Sequence, residues 1–357
     1  METRKKNVII FTNTLLSGGA EKQALLLAIK LKDTHNVTLV VYYGDKVEEK
    51  FRKKIAENQV PTVYLQGGHL NRIRGFYRLL KKDRTDVIFS YLLTTNLIGA
   101  VAGRLAGVRV RAGGIRNAQL DKNKMGLQRF IHHYFSTHTI FNNYDGLKQL
   151  SAKGFKTGHA VVIPNCFELN TTVMEREDTD LVKIITVGRF VAQKGYFDAL
   201  EVMRILKAEG YRFKYFLVGF GELESELRQR ISALQLEDVV EVLINPPDLN
   251  DYYQRSDIYF CSSFFEGLSN TVMEALSFSL PVVARNVGDN DRLVIDQVNG
   301  YLVPPNDLHL FIEPLKKLMA SAPLRNEMGK ESFKLIREVY SGDAFKNNYT
   351  NFISRAL

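Results

Sequence analysis

Cysteine is scarce: two in 357 residues, Cys166 and Cys261, in unrelated segments without metal-ligand spacing. That excludes a disulfide scaffold and a thiolate metal site, and it fits two packed thiols in a reducing compartment. No run reaches the ~18 uninterrupted apolar residues of a membrane-crossing helix. The nearest candidate, Leu97 to Val108, is short and carries Arg104. The opening METRKKNVIIFTN lacks the apolar core of a secretion signal, so a cytoplasmic location is expected. No G-x-G-x-x-G is present, which argues against a dinucleotide dehydrogenase. No aromatic or helix-turn-helix module supports a nucleic-acid binder, although the basic first half keeps that alternative open.

Length and charge divide the chain. A chain of 357 residues is too long for one typical core and suits two domains. Residues 1–170 hold 27 Lys and Arg against 12 Asp and Glu, a balance of +15; the remainder is 48 − 27 = 21 against 39 − 12 = 27, or −6. Two halves of opposite sign imply different partners, with an anionic membrane surface one candidate for the first. Within it, HLNRIRGFYRLLKKDR places Ile73, Phe76, Tyr77 and Leu80 on one helical face, crowded by Arg72, Arg74, Arg78, Lys81, Lys82 and Arg84. This reads either as a membrane-surface helix or as a surface helix packed on a sheet.

Short apolar runs alternate with helical patterns throughout, as in parallel α/β sheets. The richest stretch is FFEGLSNTVMEAL, Phe264 to Leu276, between a strand-like run at Ile258 to Cys261 and a helical segment. A strand, a glycine turn and a helix N-terminus present free N–H groups and the positive end of the helix dipole to an anion. Ser269 and Asn270 are good N-cap types. Glu266 and Glu274, eight positions apart, do not suit a phosphate but do suit sugar hydroxyls. A phosphorylated sugar or sugar nucleotide across this turn is the expectation. Asn7 to Thr12 followed by Gly18 and Gly19 repeats the strand, glycine turn and helix pattern.

EGLSNTVMEAL resembles the E-x7-E signature of retaining glycosyltransferases of the GT-B fold, in particular glycosyltransferase family 4. Other blocks resemble the family too: SGGAE at the first turn, VIPNC, VGRFVAQKG, VGFGEL, and the closing run from PVVA to NGYLVPP. The resemblance implies two Rossmann-like α/β domains facing a cleft. It places the acceptor side in residues 1–168, the donor side in 169–340 and a helix crossing back in 341–357, with Leu169 to Asp180 as linker. Arg189 and Lys194 would stabilise the leaving nucleoside diphosphate in place of a metal, with Glu266 near the reacting sugar. Gly18, Gly19, Gly188, Gly219, Ile244, Gly267, Leu268, Ser269 and Asn270 would line the donor, and Glu274 the ribose. Arg116 and Asn117 stand where many members carry a sugar-side histidine; His132 and His133 read as packing or surface residues. Asn245 and Cys166 replace glycines common in the family. The implied reaction moves a hexose or N-acetylhexosamine from a UDP- or GDP-linked donor to a saccharide or lipid-linked acceptor, without a metal or other cofactor and without nucleic acid, in cell-surface polysaccharide or glycolipid assembly.

Overall fold

The computed structural model describes residues 4–16, 18–115, 122–167 and 172–357. Its contacts separate two units: residues 1–166 with 342–357, and residues 167–341.

In the first unit each β-rich run becomes a strand and each 3.6-period segment the helix after it. The order begins β1 (Asn7–Thr12), α1 (Gly19–Leu31), β2 (Asn36–Val41), α2 (Glu49–Glu57) and β3 (Thr62–Tyr64). It continues with α3 (His69–Lys82), β4 (Val87–Tyr91), α4 (Leu93–Ala106), β5 (Val110–Ile115) and α5 (Lys122–Tyr134), then β6 (His138–Phe141), α6 (Tyr144–Ala152) and β7 (Ala160–Val162). The seven strands are parallel in the order β3-β2-β1-β4-β5-β6-β7. Alternate residues of β1 go to opposite faces, as the pleat requires. Val8 and Ile10 join α1, and Ile9 and Phe11 join Phe76 and Leu80 of α3.

The second unit repeats the scheme. Its first half holds β8 (Val182–Val187), a 3-10 turn (Ala192–Lys194), α7 (Tyr196–Ala208), β9 (Phe213–Gly219), α8 (Glu224–Ala233) and β10 (Val240–Ile244). Then follow α9 (Leu249–Gln254), β11 (Ile258–Cys261), α10 (Asn270–Ser277), β12 (Val282–Arg285), α11 (Asn290–Leu293) and β13 (Gly300–Val303). Helices α12 (Ile312–Met319) and α13 (Ala322–Val339) complete the unit; α14 (Gly342–Ala356) belongs to the first, where Phe345, Tyr349, Phe352 and Ile353 enter the core. The parallel order is β10-β9-β8-β11-β12-β13. In both sheets the order reverses beside the first strand, and such a switch point opens a ligand crevice at the carboxyl ends of the strands.

The expected linker is corrected here. Its first residues, 169–171, lie outside the described set, but residues 172–180 do not run free. Arg176 is half-buried against the second unit and donates to the carbonyls of Ser256 (2.6 Å), Phe278 (2.7 Å) and Ser279 (2.9 Å). Asn326 holds its backbone on both sides. The acidic composition of the segment gave no sign of this one arginine. Phe278 and Ser279 directly follow α10, so the guanidinium satisfies carbonyls at that helix's negative end. Burial lowers its pKa to about 10, which leaves it charged at neutral pH.

His132 is a packing residue. It is fully buried, with its ring nitrogens 2.6 Å from Thr139 Oγ1 and 2.7 Å from the Lys156 carbonyl.

Two stability predictions follow from these buried groups. Arg176→Met strands several carbonyls and is expected to cost about 2–4 kcal/mol in urea unfolding; an unchanged midpoint would dismiss the strap. Burial drops His132 to a pKa of about 4. Below pH 6.5 the unfolded chain therefore takes up a proton that the folded one refuses, and stability falls as pH drops from 6.5 towards 4. His132→Gln should flatten that fall by about 1–2 kcal/mol between pH 7 and pH 5. Denaturant midpoints at the two pH values check it.

Candidate active site in the second unit

The pairing of β11 with β8, Ile258 against Ile184 and Tyr259 against Ile185, sets the loops that leave these two strands side by side at the switch point. The loop after β8 carries Gly188, Arg189 and the 3-10 turn that ends at Lys194. The loop after β11 carries Phe264 to Ser269. Gly195 joins the first loop to α7 in the left-handed region, φ 66°, and a Cβ there would stand 2.3 Å from the Ser262 carbonyl oxygen. Only glycine permits both the turn and the approach. Three hydrogen bonds then knit the loops. Phe264 N donates to Gln193 O (2.8 Å), Gln193 Nε2 to Phe265 O (2.7 Å), and Ser262 Oγ to Lys194 O (3.1 Å).

Across this seam Lys194 Nζ meets Glu266 Oε1 at 2.6 Å, with side chains 17% and 7% exposed. A pair this withdrawn from water is held far more strongly than a surface pair. Beneath it lies Cys261, whose thiol burial pushes up and the nearby Glu266 carboxylate raises further. That sulfur stays protonated and is no nucleophile. Tyr253 donates to Glu274 Oε2 at 2.9 Å, and burial with the adjacent carboxylate keeps the phenol protonated.

The N-terminus of α10 completes the site. Ser269 is its N-cap, extended at φ −74° and ψ 110°, yet its side chain accepts no bond from a backbone N–H of the helix; its hydroxyl pairs with Thr271 Oγ1 at 3.4 Å. The leading N–H groups thus lack the usual side-chain cap. A cavity of about 580 Å³ opens over them. Its wall includes Arg189, Lys194, Glu266, Leu268, Ser269 and Asn270, with Phe220, Asn245 and Leu249 on the far side. The site therefore joins two cations, a helix N-terminus, a carboxylate and an apolar slot.

Residues 173–335 match the family of glycosyl transferases group 1. A likeness outside that block comes from the amylovoran biosynthesis glycosyltransferase AmsD of Erwinia amylovora, 28% identical over 337 residues, 92% of this chain and 94% of that one. The UDP-Gal:alpha-D-GlcNAc-diphosphoundecaprenol alpha-1,3-galactosyltransferase of Escherichia coli is 24% identical over 309 residues, 78% of each chain. The crystal structure of Anabaena Alr3699/HepE with UDP superposes with a TM-score of 0.81 at 16% identity, over 98% of this chain and all of that one, and shares the fold. The second unit carries a group 1 glycosyltransferase domain. The chain's two Rossmann-like units are those of the GT-B fold, and one of its relatives is named for amylovoran biosynthesis.

In this glycosyltransferase, Gly188, Arg189, Lys194, Gly219, Glu266, Leu268, Ser269 and Asn270 come together on one wall. Glu274, half-buried on α10, is not among the lining residues. Gly267 turns its carbonyl to Asp289 N (3.2 Å) instead. Ile244 is off the wall, and the neighbouring Asn245 is on it, in the left-handed region at φ 42°. Asparagine tolerates that conformation, so it can stand where the resemblance leads to an expectation of glycine. Gly219 lines the cavity, but its smallness serves the fold: a Cβ would lie 1.9 Å from the Gly188 carbonyl oxygen. Gln193, Phe220, Pro246, Leu249 and Thr271 also line the site, and no residue pattern in the sequence marks them.

Other expectations need correction. Gly18 and Gly19 open α1 in the first unit, but the turn is not an empty phosphate cradle. The buried Glu21 carboxylate folds over Gly18 and accepts from Thr14 Oγ1 at 3.1 Å. Asp289-Asn290-Asp291, after β12, is an Asp-x-Asp that the expectation of metal independence overlooked. Asp289 is buried and Asp291 exposed, neither lines the cavity, and no group of three metal-ligating side chains occurs among the described residues. Arg72 is not free for a membrane: it pairs with Asp45 at 3.1 Å and lies 4.8 Å from the Tyr43 ring centre. Arg74, Arg78, Lys81 and Lys82 are exposed along α3. Arg116 and Asn117 lie outside the described residues.

The loop seam gives a coupling prediction. Lys194→Met and Glu266→Gln each strand a partly buried charge, so the double variant should lose less stability than the two singles summed. A coupling of about 1–3 kcal/mol in a double-mutant cycle is expected. Strict additivity would mean the pair is not formed in solution.

Proposed function

We propose that the second unit binds a nucleoside diphosphate sugar, UDP-linked, and transfers its hexose or N-acetylhexosamine with retention to an acceptor hydroxyl. One observation carries this reading: Arg189, Lys194, the uncapped N-terminus of α10 and Glu266 converge on a single cavity. The diphosphate lies over the α10 N-terminus between the two cations, where negative charge is best stabilised as the glycosidic bond breaks. The slot between Phe220 and Leu249 takes the base, and Glu274 the ribose hydroxyls. UDP is preferred because the Escherichia coli relative is named for UDP-Gal and the Anabaena structure holds UDP.

The ion pair assigns roles within the donor. An ammonium has three donors, so Lys194 can keep Glu266 and still reach phosphate. Glu266, with Oε1 engaged by Lys194, leaves Oε2 to accept from a sugar hydroxyl and so orients the sugar. With Cys261 buried and protonated, attack from the face that the diphosphate leaves accounts for retention, and the departing phosphate takes the acceptor's proton. The two cations do the work of a metal. The acceptor is a saccharide, or a lipid-linked one such as the diphosphoundecaprenol in the relative's name, met at the cytoplasmic face of an anionic membrane by the basic side of the first unit.

Isotope-labelled donor and a saccharide acceptor test this. Glu274→Gln is expected to weaken donor binding, and Glu266→Gln to lower turnover more than binding, each about tenfold to a hundredfold. Arg189→Ala should slow turnover, and EDTA should leave it unchanged. UDP alone should raise the melting temperature by mass action. Wild-type kinetics in both glutamate variants, or activity lost to EDTA and restored by Mg²⁺, would sink the reading.

A further inference from the structure

Helix α3 has more apolar surface than its sheet can cover. Phe76 and Leu80 are buried with Phe11 and Tyr42. Ile73 and Tyr77, one turn apart, stay 37% and 36% exposed. They face Leu97, Val101 and the 69% exposed Leu105 of α4 across an open groove of about 700 Å³. The groove's only charged lining residues are Arg74 and Arg78, four positions apart and so side by side on the helix rim. Lys81 and Lys82 extend the same positive edge, and α3 contains no acidic residue.

A long apolar slot with a cationic lip fits an amphiphile: hydrocarbon in the slot, an anionic head on the arginines. A second copy of this chain fits less well, because it would bring a second set of Arg74, Arg78, Lys81 and Lys82 into the contact, and like charges brought together oppose association. We propose that the α3–α4 groove seats an acyl chain of an anionic membrane lipid, with Arg74 and Arg78 on its phosphate. This rests on the reading that the first unit meets an anionic membrane and adds what charge alone does not imply, penetration below the headgroups at a defined slot.

The chain has no tryptophan, so Tyr77→Trp creates a single reporter inside the groove. Vesicles of phosphatidylcholine and phosphatidylglycerol in equal parts are prepared with plain or brominated acyl chains, and the full chain is added. Bromine should quench the reporter, and Leu105→Asp should weaken vesicle binding about tenfold while donor-dependent thermal stabilisation persists. Arg74→Gln with Arg78→Gln should abolish binding to these vesicles. Binding with no quenching, or with Leu105→Asp as tight as wild type, overturns the groove but leaves surface docking intact. No binding at low salt overturns both. A concentration-dependent dimer in light scattering that Leu105→Asp dissolves overturns the lipid in favour of a second copy.

Discussion

The site depends on one seam, between the loop after β8 and the loop after β11. Lys194 and Glu266 close it at 2.6 Å, and Gln193 crosses it in both directions, giving its carbonyl to Phe264 and its amide to Phe265. Without the seam the two loops would be separate flexible turns, and ordering them at the moment of binding would draw on the binding energy itself. With it, an ammonium and a carboxylate arrive at the cavity at a fixed spacing. That spacing is set by the sheet, because the parallel pairing of β8 and β11 fixes where both loops begin.

Helix α10 obeys the same logic at its two ends. Its N-terminus has no side-chain cap and opens to the cavity; just beyond its C-terminus, a half-buried arginine about a hundred positions earlier in the chain, Arg176, holds the Phe278 and Ser279 carbonyls. A helix end left without a side-chain cap loses stability, by about 1 kcal/mol for a typical N-cap. Compensation at the other end lets the helix keep its free N–H groups for a ligand. The segment that read as a linker is thus part of what keeps the site helix in place.

Much of this was legible in the sequence. The β-rich run at Asn7 to Thr12 and the apolar run at Ile258 to Cys261 are β1 and β11, and the turn from Glu266 to Asn270 leads into the N-terminus of α10. The partners across the seam were not legible. Gln193 is an ordinary polar residue in a loop, and its two bonds exist only because β8 and β11 are neighbours, 74 positions apart at Ile258 and Ile184. The same holds for Arg176, whose targets lie some 80 to 103 positions on. Local pattern encodes local structure; contacts this distant are encoded jointly by the whole sheet order. Arg116 and Asn117 stay outside the described residues, so the first unit's contribution to sugar recognition rests on resemblance.

Glycine shows why a motif can be found and still be misread. Gly18 and Gly219 both end strand-like runs, and both suggest a backbone laid open to a ligand. In the structure each is small because part of the protein already occupies the space: the Glu21 carboxylate at Gly18, the Gly188 carbonyl at Gly219. A glycine records that something approaches closely, and leaves its identity to the neighbours. Asn245 is the converse case. It takes a left-handed conformation that glycine would take more cheaply, and it thereby sets an amide side chain at the cavity wall.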